Sequence, residues 1–147
     1  MPGEHLKLRI LVIDDEPCIR ETYQWYLEEQ GHEVVTVPDP SHYRCDGTHP
    51  YPCGDLFLVD FSMPRVSGLD FIEQMQANGC KCATENKFIV SGNIDAVDKE
   101  RVKQLGCQLL QKPLTFADLD TILQTIQSRT PQERQLSPLD ELQKRIA

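Results

Sequence analysis

Four short apolar runs in the chain each end on polar residues whose side chains can take part in chemistry. The runs span residues 10–13, 56–59, 88–90 and 107–111. The polar residues that follow them are Asp14 with Asp15, Asp60, Ser91 and Lys112. Together they supply three carboxylates, a hydroxyl and an ammonium. This combination suits the handling of a phosphoryl group and a divalent cation, because phosphoryl transfer depends mainly on positioning and charge neutralisation.

The three carboxylates point to a cation. If Asp14, Asp15 and Asp60 lie together, they repel one another, and one keeps its proton unless a cation is bound. Ligands that are all oxygen atoms suit Mg²⁺, which would also neutralise an incoming phosphoryl group beside a carboxylate nucleophile. Lys112 adds a compact positive charge, and Ser91 offers a hydroxyl donor to a phosphoryl oxygen.

A single aspartate at the end of a strand is more often a helix cap or a solvated loop residue. The joint occurrence of three such acids with Ser91 and the Lys112–Pro113 pair favours a functional site instead, since nucleophile, cation ligands and charge partners all occur at strand ends.

The apolar runs alternate with longer amphipathic stretches, which is typical of parallel strands covered by helices on both faces. The predicted strands span residues 7–13, 33–37, 55–60, 86–90 and 107–111. The predicted helices span about residues 17–30, 69–75, 94–105 and 116–126. In such a doubly wound α/β fold the carboxyl ends of the strands share one edge, where ligands bind. The polar residues named above should therefore meet there.

The connection between the second and third predicted strands is unusual. Residues 38–54 contain four Pro and two Gly, so most of this segment cannot hold a regular helix. We expect a short turn and a long loop where a crossover helix normally lies.

Composition limits the classes of function. A chain of 147 residues with 39% hydrophobic and 26% charged residues is typical of one globular domain. The net charge of −8 argues against binding to a nucleic-acid backbone. No apolar run approaches the roughly 18 residues of a membrane span, and the N-terminal residues lack a signal-peptide core. We expect a cytoplasmic protein with reduced cysteines.

Four sequence motifs occur in a characteristic order: ILVIDDEP at 10–17, LVDFSMP at 58–64 followed by Ser67-Gly68, IVSG at 89–92, and Lys112-Pro113. Together they resemble the receiver domain of two-component response regulators over residues 7–128. The resemblance implies a five-stranded parallel sheet in the flavodoxin-like order 2-1-3-4-5. It places the receiver domain at residues 1–128 and leaves 129–147 as a linker or tail that can form a short helix.

The resemblance also implies roles at the site. Asp60 would accept a phosphoryl group from a kinase phosphohistidine. Asp15, Asp60 and the backbone carbonyl of Ser62 would bind Mg²⁺ directly, and Asp14 would bind it through a water. Lys112 would pair with the phosphoryl or carboxylate oxygens.

Ser91 would be the switch hydroxyl that moves toward the acyl phosphate, and the Lys112–Pro113 bond is expected to be cis. The output surface in the family is the fourth helix, fifth strand and fifth helix. This chain departs from the family at Leu109, where the family usually has Tyr or Phe as a second switch residue. Phosphorylation adds charge and acceptor oxygens that can shift the nearby loop and helix between two packings.

The leading functional hypothesis is therefore a signalling protein, not an enzyme, that catalyses only its own phosphotransfer and dephosphorylation. Its expected partners are a sensor histidine kinase or a histidine phosphotransfer protein, and a downstream effector protein. Direct nucleic-acid binding and membrane insertion are not expected. No output domain follows within the sequence, which predicts a stand-alone receiver or the N-terminal piece of a longer protein.

Two alternatives remain open. The first is a pseudo-receiver scaffold that binds its partner constitutively. The second is a Mg²⁺-dependent phosphatase with an Asp nucleophile, a class that typically needs a second acid two residues after the nucleophile, where this chain has Ser62.

The unusual loop also contains residues that bind metals in other proteins: His42, Cys45, His49 and Cys53. Two His and two Cys can form a tetrahedral zinc site, but the alternative is a loop whose cysteines pack as small hydrophobes. A Cys45–Cys53 disulfide is disfavoured in a reducing cytosol. Cys18 and Cys107 are predicted to pack, and Cys80 and Cys82 lie in a separate segment.

Overall fold

The structure is a computed structural model that describes residues 6–43 and 47–146; Cys45 and the side chain of His42 lie outside the described residues. A parallel five-stranded sheet with the order β2-β1-β3-β4-β5 forms its centre. The strands are β1 (Arg9–Ile13), β2 (Glu33–Val37), β3 (Leu56–Asp60), β4 (Lys87–Ser91) and β5 (Gln108–Gln111). The predicted fold class and strand order are confirmed.

Helices cover both faces of the sheet. They are α1 (Pro17–Glu29), α2 (Gly68–Ala77), α3 (Lys99–Leu105), α4 (Phe116–Arg129) and α5 (Leu139–Ile146). The apolar residues of α1 and α4 form one core with Ile10, Val12 and Leu58, and those of α2, α3 and α5 form the other with Leu11 and Ile13. Strands β1, β3 and β4 are buried along their whole length. This explains why they are continuous apolar runs.

Between β2 and β3, the helical structure within the described residues is a single 3₁₀ turn at Pro40–His42. The predicted replacement of the family's second helix by a loop is therefore confirmed. As a result, the family's fourth and fifth helices are α3 and α4 in the numbering used here.

The C-terminal segment packs against the domain. Leu142 of α5 is fully buried in the core on the α2 side of the sheet. Arg134 donates two hydrogen bonds to the carboxylate of Asp55, at 2.8 and 2.6 Å. The Ser137 N–H donates to the carbonyl of Pro52 at 2.8 Å. The short helix expected in this tail is present, and the domain boundary after residue 128 stays a prediction.

The predicted helix over residues 94–105 is wrong in its first turn. Residues Ile94–Ala96 form a 3₁₀ turn, Val97 is extended, and α3 begins only at Lys99. The reason is local hydrogen bonding: the side chain of Asn93 accepts from Asp95 N–H, and that of Asp98 accepts from Arg101 N–H. Such side chains compete with a continuous helix and restart it.

The helix α4 begins as predicted. Thr115 and Asp118 form a capping box in which each side chain accepts from the other residue's backbone N–H, at 3.0 and 2.8 Å. No helix in residues 6–43 and 47–146 has the length and apolarity needed to cross a bilayer.

Candidate functional site

The three predicted acids meet at the carboxyl edge of the sheet. Ile13 is level with Val59 in the β1–β3 pairing, so the residues that follow, Asp14 and Asp60, come side by side. One carboxylate oxygen from each of Asp14, Asp15 and Asp60 lies within 4.8 Å of the others. Asp14 and Asp60 are buried, whereas Asp15 is exposed. The acids therefore form a cluster that is open to solvent on the side of Asp15.

Lys112 closes the other side of this cluster. Its Nζ lies 3.0 Å from Asp60 Oδ1 and 3.3 Å from Asp14 Oδ2. The backbone places it there, because Lys112 N–H donates to the carbonyl of Ser91 at 2.8 Å directly after β5. The Lys112–Pro113 peptide bond is cis, as the resemblance implies.

The acids and Lys112 perturb one another's protonation. Burial raises the pKa of Asp60 above its ordinary value; the hydrogen bond from Lys112 lowers it, and the charges of Asp14 and Asp15 raise it. Burial would lower the pKa of Lys112, but the hydrogen bond to Asp60 and the charge of Asp14 outweigh it, so this pKa is raised. Lys112 thus stays cationic, and Asp60 lies in an environment that favours added positive charge.

Ser91 is the last residue of β4 and is buried. Its Oγ accepts a hydrogen bond from the Asn93 N–H at 3.1 Å, which leaves the hydroxyl proton available to an acceptor. The next residues form the loop that leads into α3. A hydroxyl at this position therefore connects the carboxyl edge with the loop and helix that follow.

The backbone after Asp60 turns sharply into α2. Gly68 N–H donates to the carbonyl of Phe61 at 2.8 Å. A Cβ at Gly68 would lie 2.6 Å from the carbonyl oxygen of Asp60, a distance that real Cβ atoms do not show, so only glycine fits. Ser62, whose carbonyl is a predicted metal ligand, lies in this loop and is exposed.

Two further residues belong to the site, although no sequence motif indicates a role for them there. Tyr23 of α1 is buried, and its pKa is raised by burial, with Lys112, Asp14 and Asp60 close enough to influence it. Its helical spacing had indicated only a core residue.

Gln111 is the second. Its Nε2 donates to the carbonyls of Gly92 and Lys112 at 2.8 and 2.9 Å, and its Oε1 accepts from Ile94 N–H at 3.4 Å. It therefore ties the end of β5 to the loop after Ser91. Only its position directly before Lys112-Pro113 could have suggested this.

Of the four residues predicted as possible zinc ligands, His49 and Cys53 lie elsewhere, at the amino edge of the sheet, whereas Cys45 and the side chain of His42 are outside the described residues. Cys53 Sγ lies 3.4 Å from His49 Nε2, and both residues are buried. Cys82 joins them, since the Cys53 N–H donates to its Sγ at 3.3 Å. Hydrogen bonding from the Cys82 thiol, helped by the Tyr43 hydroxyl, Arg145 and His49, lowers the pKa of Cys53 to about 5 against the opposing effect of burial. Cys80 and Cys82, which lie in a separate segment of the sequence, are therefore next to this loop in the folded domain.

The donor set of the carboxyl edge fits Mg²⁺. Three carboxylates within reach of one another are hard oxygen ligands, and the raised pKa of Asp60 reflects burial and also repulsion from Asp14 and Asp15, which a cation would relieve. These residues therefore provide the oxygen ligands of the Mg²⁺ site that the resemblance implies.

Comparisons with known proteins agree with this geometry. Residues 10–124 match the family described as the response regulator receiver domain. The chain is 29% identical over 126 residues to the two-component response regulator PhoP of Pseudomonas aeruginosa, covering 84% of the chain and 53% of that protein. It is 38% identical over 124 residues to the phosphate regulon regulatory protein PhoB of Klebsiella pneumoniae, covering 82% and 52%. The chain spans about half the length of these curated relatives.

Solved structures show the same fold. A CheY-like receiver domain from Methylobacillus flagellatus aligns with a TM-score of 0.66 at 27% identity, covering 82% of this chain and 98% of that one. The response regulator TrrA of Thermotoga maritima, in complex with Mg²⁺ and BeF, aligns with a TM-score of 0.64 at 24% identity, covering 80% and 97%.

Proposed function

The chain belongs to the response regulator receiver domain family of two-component signalling, and from that premise we propose that Asp60 accepts a phosphoryl group and thereby changes the binding of a partner protein. The observation that carries this proposal is the geometry around Asp60. Its carboxylate lies beside Asp14 and Asp15 and 3.0 Å from the ammonium of Lys112.

In the proposed reaction a carboxylate oxygen of Asp60 attacks the phosphorus of a phosphohistidine in the donor. The P–N bond breaks, and the imidazole leaves with the bonding electron pair and takes up a proton. An acyl phosphate remains on Asp60. Lys112 stabilises the negative charge that gathers on the phosphoryl oxygens, which is the main task in phosphoryl transfer.

Asp15, Asp60 and the backbone carbonyl of Ser62 would hold Mg²⁺, with Asp14 binding through a water. When bound, this ion would supply positive charge to the phosphoryl oxygens. The openness of the cluster on the side of Asp15 supports this assignment, because a small, strongly hydrated ion keeps several waters.

The switch would begin at Ser91. Its hydroxyl proton is available for a phosphoryl oxygen, and a movement of Ser91 would pull on the loop that Gln111 ties to β5. The output surface would be α3, β5 and α4. Leu109, partly buried against the core on the α3 side, stands where the family places an aromatic residue. The coupling would therefore run through the Gln111 hydrogen bonds and not through an aromatic side-chain rotation.

The partners follow from this chemistry. The phosphoryl donor would be a sensor histidine kinase or a histidine phosphotransfer protein, and the receiver of the signal would be an effector protein. The net charge of −8 supports protein partners for this segment over a nucleic-acid backbone.

The test is labelling with acetyl phosphate in the presence and absence of Mg²⁺, read by intact-protein mass. We expect one phosphoryl group per chain, dependent on Mg²⁺ and absent in Asp60→Asn. Asp140→Asn is the matched control, since Asp140 is an exposed acid on α5, and it should be labelled like the wild type. A label that survives in Asp60→Asn would contradict the proposal.

The other outcomes separate the alternatives. A folded wild-type protein that takes no label, and whose partner affinity is unchanged by the donor, would favour the constitutive scaffold. Repeated turnover of a phosphomonoester would favour the phosphatase.

A further inference from the structure

The amino edge of the sheet carries a second cluster of residues whose side chains can react or bind a metal ion. The proposed function does not use this cluster. The loop that enters β3 supplies His49 and Cys53, and the loop that enters β4 supplies Cys80 and Cys82. These loops are far apart in the sequence, but β3 and β4 are neighbours in the sheet, so their entry loops meet.

Direct contacts join the four residues. Cys53 Sγ lies 3.4 Å from His49 Nε2, and the Cys53 N–H donates to Cys82 Sγ at 3.3 Å. The Cys82 N–H in turn donates to Cys80 Sγ at 3.4 Å. Backbone N–H groups that donate to sulfur stabilise thiolates, and such outer contacts are typical of metal-bound cysteine.

Two cations face this cluster from other elements. Arg145 of α5 donates to Cys53 Sγ at 2.9 Å, and Lys87 of β4 donates to Cys80 Sγ at 3.5 Å. Lys87 is fully buried and lies over the ring of Phe57, 5.6 Å from its centroid. Among the ion pairs of the described residues none involves Lys87, although a buried ammonium normally requires an anionic partner. The cluster therefore has surroundings suited to net negative charge.

Tyr43 completes these surroundings. Its hydroxyl is buried, makes no well-formed hydrogen bond within the described part of the chain, and lies near enough to the Cys53 thiol to interact with it weakly. The thiols of Cys53, Cys82 and Cys80 lie near it. A metal-bound thiolate is a better acceptor for such a hydroxyl than a neutral thiol.

We propose that Cys53, Cys80 and Cys82, with His49 as the fourth ligand, bind a Zn²⁺ ion that joins the two loops. Thiolate and imidazole ligands select a borderline-soft ion such as Zn²⁺ over Mg²⁺, and three Cys with one His is a common structural zinc set. One Zn²⁺ with three thiolates leaves a net negative charge, which Lys87 and Arg145 would balance.

The ligand atoms are more widely spaced than those of a closed site. In the described residues only the acid cluster has three candidate atoms within 4.8 Å of one another. A zinc ion would therefore draw the two loops together. It would also hold Arg145, and with it α5, against the region where the family's second helix is missing. The ion would thus support a connection whose described residues contain a single 3₁₀ turn.

The experiment uses the full chain. Zinc content is measured on the purified protein, and metal-free protein is then titrated with Co²⁺ and afterwards with Zn²⁺. We expect about one zinc per chain, a thiolate-to-cobalt charge-transfer band in the near ultraviolet, and displacement of Co²⁺ by Zn²⁺. The carboxyl edge cannot give this band, because its ligands are oxygen atoms.

Variants identify the ligands. Cys53→Ser and Cys82→Ser should weaken Co²⁺ binding by more than about 100-fold, beyond the roughly 10–100-fold effect of outer contacts. His49→Ala should weaken binding but retain the charge-transfer band. Cys18 is exposed on α1, so the prediction that it packs is wrong. Cys18→Ser is therefore the matched control and should bind like the wild type. Because the wild-type spectrum itself reports thiolate ligation, the proposal stays testable even if a variant does not fold.

Three results would overturn the zinc assignment: wild-type protein without stoichiometric zinc, a Co²⁺ complex without the charge-transfer band, or a Cys53–Cys82 disulfide in place of the metal. Phosphoryl labelling of the same samples keeps the two proposals apart. Intact labelling of a chain that binds no zinc would reject the zinc site alone.

Discussion

The two edges of the sheet carry ligand sets of opposite character. The carboxyl edge gathers three carboxylates with a partly buried lysine, whereas the amino edge gathers thiols and an imidazole, with a lysine and an arginine close by. Hard oxygen ligands suit a hydrated ion that comes and goes with a phosphoryl group, and soft ligands suit an ion that stays. The proposed switching site and the proposed zinc site therefore lie at opposite ends of the strands, separated by the length of the sheet.

The edges also differ in how they are built. Each residue of the carboxyl edge is the last residue of a strand or lies within two residues of its end, so the strand register sets its position. The residues of the amino edge lie in loops and depend on packing, including that of α5 through Arg145 and Leu142. Perturbation of α5 should therefore affect the two edges unequally.

The largest expected effect is that of Leu142→Ala. Leu142 is fully buried, so its truncation should lower the free energy of unfolding by about 2–5 kcal/mol through lost burial and a cavity. Urea denaturation measures this change. The exposed neighbour Gln143→Ala should leave stability unchanged within about 0.5 kcal/mol.

The same variant tests the separation of the edges. At low temperature, where Leu142→Ala remains folded, its Asp60 labelling rate should match that of the wild type. An equally large fall in that rate would show that the two edges are coupled.

Lys112→Ala should affect the opposite edge. Loss of an ammonium 3.0 Å from Asp60 removes charge stabilisation from the transferring phosphoryl group, and labelling by acetyl phosphate should slow about 100-fold. The thiolate–cobalt band should be unchanged in this variant. Lys144→Ala, at an exposed lysine on α5, serves as the control. If Lys112→Ala is labelled as fast as this control, Lys112 has no role in phosphoryl transfer.

The smallest effect concerns the stability of the carboxyl edge without divalent cations. The folded-state pKa of Asp60 is raised, so its ionised form costs stability above that pKa, and this cost disappears as the pH falls through it. Asp60→Asn should therefore stabilise the metal-free protein at neutral pH by about 0.5–1 kcal/mol. Denaturation curves of both proteins across the acid range measure the difference, which should shrink as the pH is lowered.

The same denaturation curves can be measured with added Mg²⁺, which should stabilise the wild type more than Asp60→Asn. A variant that is less stable than the wild type at neutral pH without metal would show that the Lys112 ion pair outweighs the repulsion at Asp60.

The sequence by itself determined the sheet and the acid cluster. Apolar runs such as residues 10–13 and 56–59 have the length and composition of buried parallel strands, and the polar residue after each run must come to the shared edge. For that reason the sequence predicts that Asp14, Asp60 and Lys112 lie at the carboxyl edge. The capping box at Thr115 was equally predictable, since it depends on residues three positions apart.

Only the tertiary structure decided the remaining features. The start of α3 at Lys99 depends on local competition by Asn93 and Asp98, which periodicity does not reveal. The roles of Gln111 and Tyr23 arise from contacts between different elements. Gln111 of β5 bonds to the loop after β4, and Tyr23 of α1 lies near Lys112, which follows β5. The approach of Cys82 to Cys53 joins two irregular loops, and loops have no periodicity from which a partner can be read. Strand pairing sets the positions of the residues at the strand ends, and the strands can be predicted from the sequence. Contacts between loops, in contrast, arise only when the whole domain has packed.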